Sequence, residues 1–360
     1  METLKPEYHK TIFYSICGEG LGHCSRALTL IKHMPLYKFY LFVGSDNSTK
    51  FAADTGLPNL TVIKIDGIKF VSSNNKINLF KTICGVIGFI RHGYYYNTIF
   101  FQKLMNRIRP DLVLVDWEPS LARFCYNNNI DYISIDSQHK FRFSKLKYSI
   151  FLKIYHICAS LLSRFYIPNP IHNIISTFQS PLIIENKHVT AVNCLVDTIV
   201  VESENTFEKD SFQEDFVLIY CNYSDITAKI IRLLLENKQK IVCYGNCDIM
   251  HCDVIYKKQN KKEFMKDLQS CKAVFSTAGV QIVGESAYYG KPIFVIPLPK
   301  QYEQYINGRD VGFLNLGVYC DFDKITASDV DKFLRKYPFG VIPTCNGLDK
   351  TIRLLENYVK

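Results

Sequence analysis

Two stretches of this chain combine residue types that can do chemistry just beyond a strand end. The first, Gly18-Glu19-Gly20-Leu21-Gly22-His23-Cys24-Ser25-Arg26, follows an apolar run. Glycines after a strand permit a tight turn and bring backbone N–H groups close to an anion. The spacing excludes two familiar uses. A dinucleotide fingerprint needs glycine at its first, third and sixth positions, and the sixth here is His23; a P-loop needs a Lys-Ser/Thr pair after the glycines, and none follows. What remains is a turn that delivers His23 to a strand mouth, with Ser25 and Arg26 on the first helical turn after it. An imidazole there can take a proton or hydrogen-bond a phosphate, or it can cap the helix and pack.

The second stretch runs from Ser276 to Asn307, STAGVQIVGESAYYGKPIFVIPLPKQYEQYIN. After Ser276 and Thr277 a strand ends at Ala278, Gly279 turns the chain, and a helix opens at about Val280 and Gln281. Such a helix N-terminus suits a diphosphate. Glu285 falls about one and a half turns into that helix, where a carboxylate can accept hydrogen bonds from both hydroxyls of a ribose. Gly290-Lys291-Pro292 ends the helix and launches the next strand. Beyond Pro297, Glu303, Gln304 and Asn307 offer polar groups toward the same cleft.

The elements that position these stretches alternate short β-branched or aromatic runs with longer helical ones, the pattern of parallel sheets covered by helices. Residues 11–17, 38–44, 60–65, 111–116 and 131–136 read as strands of a first sheet, and 216–221, 240–245, 273–278 and 292–297 as strands of a second. The polar run 201–215 reads as the linker. This predicts an α/β protein of two Rossmann-like domains, 1–200 and 216–345, followed by a C-terminal helix over 346–360, with ligands at the carboxyl ends of the strands.

Composition agrees. A chain of 360 residues with 48% hydrophobic and 14% aromatic residues folds into packed cores, most simply as two domains. Thirteen cysteines at irregular spacing, with no signal-peptide pattern, read as reduced thiols in a cytoplasmic protein. Cys243, Cys247, His251 and Cys252 contain no paired CxxC and read as packed thiols before a metal site. No apolar run reaches the ~18 residues that span a bilayer. No RNP, zinc or helix-turn-helix pattern supports a nucleic-acid partner.

The arrangement around Gly279, Glu285, Gly290-Lys291-Pro292, Glu303-Gln304 and Asn307 resembles the donor-nucleotide signature of GT-B-fold glycosyltransferases. It is most similar to the family 28-like group that includes the bacterial peptidoglycan N-acetylglucosaminyltransferase and its archaeal and bacterial relatives. Those relatives also carry a GxGxGH-x2-R turn, matched here by Gly18, Gly20, Gly22, His23 and Arg26, and Asp136-Ser137-Gln138-His139 resembles another of their cleft segments. The resemblance spans residues 11 to about 310 in the expected order.

It implies two Rossmann-like domains with parallel sheets facing across a cleft. Ser276, Thr277, Gly279, Val280, Gln281, Glu285, Glu303, Gln304 and Asn307 would bind the donor, and Gly18, Glu19, Gly20, Gly22 and Arg26 would face the acceptor and phosphates. Where relatives often have a second glycine and a Ser/Thr near the phosphates, this chain has Ala278 and Ile282, with Ser276 and Thr277 as substitutes. The implied reaction is an inverting, direct displacement from a nucleotide sugar, UDP-linked by resemblance, with no metal and no cofactor beyond that substrate. His23 is the first candidate base; Asp116, Glu118, Asp136 and His139 also end strands. Asp116 could instead cap the helix begun by WEPSLARF. The DFD run at 321–323 reads as a solvated turn.

The acceptor side is basic. Residues 1–200 carry 22 Lys and Arg against 13 Asp and Glu, while 201–360 balance at 21 each. Gly67–Pro110 and Gln138–Pro168 hold no acid but many Lys, Arg, Phe and Tyr residues, a composition that suits an anionic membrane surface and a lipid-linked or membrane-proximal acceptor. A core helix with a solvated basic face fits the same pattern. A sugar-nucleotide 2-epimerase on the same fold, or a non-catalytic nucleotide-sugar-binding protein, would share the donor signature.

Overall fold

The protein is seen here as a computed structural model that describes residues 8–18, 21–67, 72–73, 76–77, 89–144, 150–198, 215–245, 247, 250–258, 260–337 and 340–359. Glu19, Gly20 and nearly all of the 201–215 run lie outside the described residues. The chain divides into two compact units, residues 1–195 with 347–360, and residues 196–346.

The first unit contains β1 (Lys10–Ile16), α1 (Leu21–Lys32), β2 (Tyr37–Val43), α2 (Asp46–Ala53), β3 (Leu60–Lys64), a small antiparallel pair β4 (Ser72–Ser73) and β5 (Lys76–Ile77), α3 (Tyr94–Ile108), β6 (Leu112–Asp116), α4 (Pro119–Asn127), β7 (Ile133–Asp136), α5 (Lys140–Phe143), α6 (Ile150–Tyr166), β8 (His172–Ser176) and β9 (Val189–Val192). Its seven-stranded sheet runs β3-β2-β1-β6-β7-β8-β9, all neighbours parallel. The order reverses between β1 and β6, and it is outside the carboxyl ends of such strands that open α/β sheets bind ligands.

Alternation along each strand sends side chains to opposite faces. Ile12, Tyr14 and Ile16 join one buried cluster with Leu28, Leu30 and Ile31 of α1; Phe13 joins another with Phe101 and Met105 of α3 and Leu121 and Phe124 of α4. Both faces are therefore covered, which is why the strands read as nearly continuous apolar runs. Strands β8 and β9 were not anticipated from sequence: β8 opens on the polar pair His172-Asn173, and β9 has four residues.

The second unit contains β10 (Val217–Cys221), α7 (Ser224–Glu236), β11 (Ile241–Gly245), β12 (Val254–Lys257), α8 (Lys261–Ser270), β13 (Ala273–Ser276), α9 (Val280–Tyr288), β14 (Ile293–Val295), α10 (Tyr302–Phe313), β15 (Gly317–Tyr319) and α11 (Ala327–Lys336). Its six-stranded parallel sheet runs β12-β11-β10-β13-β14-β15 and reverses between β10 and β13. The two strands missed by sequence reading, β12 and β15, are its short edges. Phe275 and Phe294 stack at 5.1 Å with Phe333 of α11 edge-on, a geometry worth about 0.5–1.5 kcal/mol per pair beyond burial.

The last helix, α12 (Leu348–Glu356), belongs to the first unit. Its Leu348 and Leu355 enter the cluster beneath β1, and Lys350 donates to the Ala191 carbonyl at 2.9 Å. The described cysteines are free, and no described helix is long and apolar enough to cross a membrane.

Candidate active site

At the order reversal of the first sheet, Ile16 at the end of β1 lies in register with Asp116 at the end of β6. Helix α1 then starts at Leu21, placing Gly22 and His23 in its first turn and Arg26 three residues after His23, on the same helical face. Both side chains reach Asp116. His23 Nδ1 lies 2.7 Å from Oδ1, and Arg26 donates from Nη2 to Oδ1 and from Nε to Oδ2, each at 2.8 Å. This is a two-pronged guanidinium–carboxylate pair with an imidazole on the same oxygen. Arg26 is 2% exposed and Asp116 fully buried. Burial alone would lower the guanidinium's pKa, but the charge and hydrogen bonds of Asp116 hold it above the ordinary value.

The pairing fixes the tautomer. An ionised carboxylate can only accept, so in the neutral ring Nδ1 carries the proton and Nε2 the lone pair, with Arg26 Nη2 3.2 Å from Nδ1. Nε2 has no bonding partner among the described residues, and the side chain is 13% exposed. The result is an imidazole held at its back and open at its front.

The turn before α1 needs glycine for steric reasons. A Cβ on Gly18 would come within 2.5 Å of the Gly44 carbonyl carbon, and one on Gly67 within 2.4 Å of the Gly44 oxygen. The ends of β1, β2 and β3 thus pass backbone against backbone. Gly44 and Gly67 were not singled out from sequence, since neither sits in a multi-glycine motif.

The other candidates in this unit take different places. Asp116 does not cap α4; Glu118 does, accepting from Ser120 N at 2.7 Å and Leu121 N at 2.8 Å, so the expected alternative for Asp116 is corrected. Burial raises the Glu118 pKa despite those bonds. Between the two acids, Trp117 takes φ 55°, the left-handed region that a bulky residue rarely occupies. His139 is 1% exposed, its Nδ1 is held by Asp136 at 2.7 Å, and its Nε2 is buried without a partner. Rings of Trp117 and Phe143 flank it at 6.3 and 6.5 Å. That closed setting does not present His139 as a base. Burial raises the Asp136 pKa, but His139 and the Ser134 hydroxyl overcome this and bring it down to about 2.

At the reversal of the second sheet, the Ser276 hydroxyl ends β13 by donating to the Tyr220 carbonyl of β10 at 2.5 Å. Thr277 and Ala278 leave the ladder, two residues earlier than the sequence indicated. Gly279 is the N-cap of α9, with φ −73°, and as a glycine it supplies no side-chain cap. A Cβ built there would touch only Ile282 Cγ2, at 3.5 Å, so the space beside Gly279 is open.

Glu285, 3% exposed, accepts at Oε1 from Lys261 Nζ at 2.7 Å and from Gln281 Nε2 at 3.0 Å, while Oε2 has no partner among the described residues. Lys261 opens α8, where the helix dipole disfavours a cation, so its place there is explained by Glu285. Sequence gave no signal for this pairing. Burial, then the Glu285 charge, pushes the neighbouring Tyr220 hydroxyl up to about 12.

The remaining donor candidates brace the loops. Asn307 Nδ2 donates to the Ala278 carbonyl at 2.8 Å, and Gln304 Oε1 accepts from Leu298 N at 2.9 Å, both from α10. Glu303 lies in the first turn of that helix and is half-buried. Gly290, at φ 66°, ends α9 in the left-handed conformation. Asp321 of the DFD run accepts from the Tyr319 hydroxyl at 2.7 Å and from Lys324 at 3.0 Å. Cys243 is buried inside β11, apart from the exposed His251, Cys252 and Asp253. A cavity of about 340 Å³ lined by Lys272, Ala273, Pro292 and Tyr337 lies at the amino ends of these strands, away from Gly279.

Comparison with known proteins accords with this geometry. The family described as glycosyl transferase family 1 matches residues 10–338. Among solved structures, CalG4, the calicheamicin glycosyltransferase, is 12% identical with a TM-score of 0.60 over 97% of this chain and 94% of its own. MurG of Acinetobacter baumannii is 12% identical with a TM-score of 0.57 over 97% and 99%. Medicago truncatula UGT71G1 complexed with UDP-glucose is 11% identical with a TM-score of 0.62 over 97% and 93%. Curated protein sequences give no match. With its family matched over nearly the whole length and two parallel sheets of the GT-B type, the chain belongs to glycosyl transferase family 1 and is a glycosyltransferase.

Proposed function

We propose that the chain moves a sugar from a nucleotide-sugar donor, a UDP-sugar by preference, to an acceptor hydroxyl, with inversion at the anomeric carbon. The observation that carries this is His23, held by Asp116 at Nδ1 and unoccupied at Nε2. Nε2 takes the acceptor's hydroxyl proton as the acceptor oxygen bonds to the anomeric carbon and the bond to the diphosphate oxygen breaks. The imidazolium that results is stabilised by Asp116, and Arg26 holds that carboxylate in place through both oxygens.

The second unit holds the donor. The α9 N-terminus receives the diphosphate, whose growing charge the helix end stabilises as it departs, and Glu285 Oε2 takes the ribose hydroxyls while Lys261 fixes Oε1. These groups supply the chemistry without a metal or a further cofactor, and Asp321 is already engaged by Tyr319 and Lys324. The UDP-glucose complex among the similar structures supports the choice of nucleotide. The positive excess of the first 200 residues supports an acceptor that is lipid-linked or lies at an anionic membrane surface.

His23→Gln is expected to lower kcat by about 10²–10⁴-fold while UDP-sugars still raise the melting temperature. Glu285→Ala is expected to abolish that thermal stabilisation. Wild-type turnover in the first variant removes the base, and unchanged stabilisation in the second removes the donor site.

A further inference from the structure

Helix α6 (Ile150–Tyr166) turns an apolar face to water. Ile154, Ile157, Leu161, Leu162 and Phe165 are 43% to 59% exposed, and Cys158 between them is exposed too. At about 100° per residue these positions form one continuous stripe, while Leu152 and Ser163 on the opposite side are buried. Water-facing helices of globular proteins carry the reverse pattern, and an exposed apolar stripe rimmed by polar groups marks a docking surface.

The rim identifies the occupant. Lys153 and Arg164, both exposed, border the stripe on one side. Arg123 of α4 donates to the Phe165 carbonyl at 2.8 Å and lays its guanidinium 4.5 Å from the Phe165 ring, adding a third cation at the stripe's end. From Ser137 to Ile184 the sequence holds no acid. A protein partner would need complementary acids around an apolar centre, whereas an anionic bilayer offers both at once, phosphates above and acyl chains below. The helix has 17 residues, about 25 Å of rise, and with Lys153 and Arg164 it is too short and too charged to cross a hydrocarbon core of ~30 Å.

We propose that α6 is a membrane-docking helix that lies in the plane of an anionic bilayer, its Ile154–Phe165 stripe at the headgroup–acyl boundary and Lys153, Arg164 and Arg123 on lipid phosphates. This rests on the membrane-proximal acceptor reading and sharpens it, since the docked element is the first unit, the one that carries His23. Tyr155 and Tyr166 flank the other side of the stripe, the amphipathic residue type that settles at such boundaries.

The test is co-sedimentation of the full chain with phosphatidylcholine vesicles, with and without phosphatidylglycerol. The wild type is expected to pellet with the anionic vesicles and to be partly released by high salt. Leu161→Glu/Phe165→Glu, at exposed positions, is expected to keep its melting temperature and to bind at least about tenfold more weakly. Lys153→Glu/Arg164→Glu is expected to lose the preference for phosphatidylglycerol. Binding by Leu161→Glu/Phe165→Glu equal to wild type, or no wild-type binding, overturns the assignment. So does a wild-type dimer in sedimentation velocity that this variant splits, which would give the stripe to a second copy of the chain. Because UDP-sugar stabilisation is measured without vesicles, loss of docking leaves the donor reading standing, and loss of donor binding leaves docking standing.

Discussion

The two sheets reverse their strand order in the same way and arm the reversal differently. Where β1 meets β6, the strand ends deliver side chains: a carboxylate buried completely, an arginine gripping both of its oxygens, and a histidine on one of them. Where β10 meets β13, the ends deliver backbone, a glycine N-cap without a side-chain cap, with the nearest charge a glutamate one and a half turns into α9. Proton transfer needs a titratable group whose orientation is fixed, which a buried ion pair supplies at high risk. Anion binding needs only aligned N–H groups, and any side chain added there would stand in the way.

If that contrast is right, the two sites fail differently. Arg26→Ala leaves Asp116 buried with only His23 beside it and should cost about 3–5 kcal/mol, read as a lower urea midpoint. Arg26→Met/Asp116→Leu should recover most of that stability yet transfer no sugar. At the second site Lys261→Met should cost less, about 2 kcal/mol, because Lys261 is partly exposed and Gln281 still donates to the buried Glu285 carboxylate. Equal losses in the two units would break the comparison.

The next effect concerns Asp136, whose pKa is depressed to about 2 in the folded chain. A depressed carboxyl stabilises the fold above its unfolded value and loses that contribution as pH falls from about 4 through about 2. The amount is about 2 kcal/mol, and Asp136→Asn should remove this part of the pH dependence in urea titrations at stepped pH. The smallest effect tests the backbone site. Gly279→Ala has ordinary φ and room for its methyl, so stability should hold while UDP affinity drops about tenfold by calorimetry, about 1.4 kcal/mol.

Much of this was legible from local pattern. Period-two and continuous apolar runs marked nine strands, the Gly18–Arg26 turn exposed His23, and the Gly279–Asn307 run located α9 and Glu285. What sequence hid was long-range. Nothing near Asp116 announces that Arg26 and His23, some 90 residues earlier, will claim it, and both Asp116 and Glu118 fit a cap until the strand register puts one at the β1 edge and the other on α4. Nothing near Lys261 announces its bond to Glu285. Gln304 and Asn307 read as donor ligands from their polarity; that they also bond the Leu298 N–H and the Ala278 carbonyl is not visible in a local pattern. Strands β9, β12 and β15 are edges of three or four residues, too short to show a period.

The path of the chain has a practical consequence. Asn346 closes the second unit by clasping Val196, accepting from its N–H at 3.1 Å and donating to its carbonyl at 2.7 Å, and one residue on, Gly347 donates to the Cys194 carbonyl at 3.3 Å. The second unit is thus an insert whose ends meet, and α12 completes the fold into which it is inserted. A deletion that trims the last turn, or a fusion that crowds Tyr358 where it meets His172, would injure the unit that starts the chain. Conversely, the paired ends at Val196 and Asn346 are where the second unit could be excised, closed by a short linker and expressed by itself.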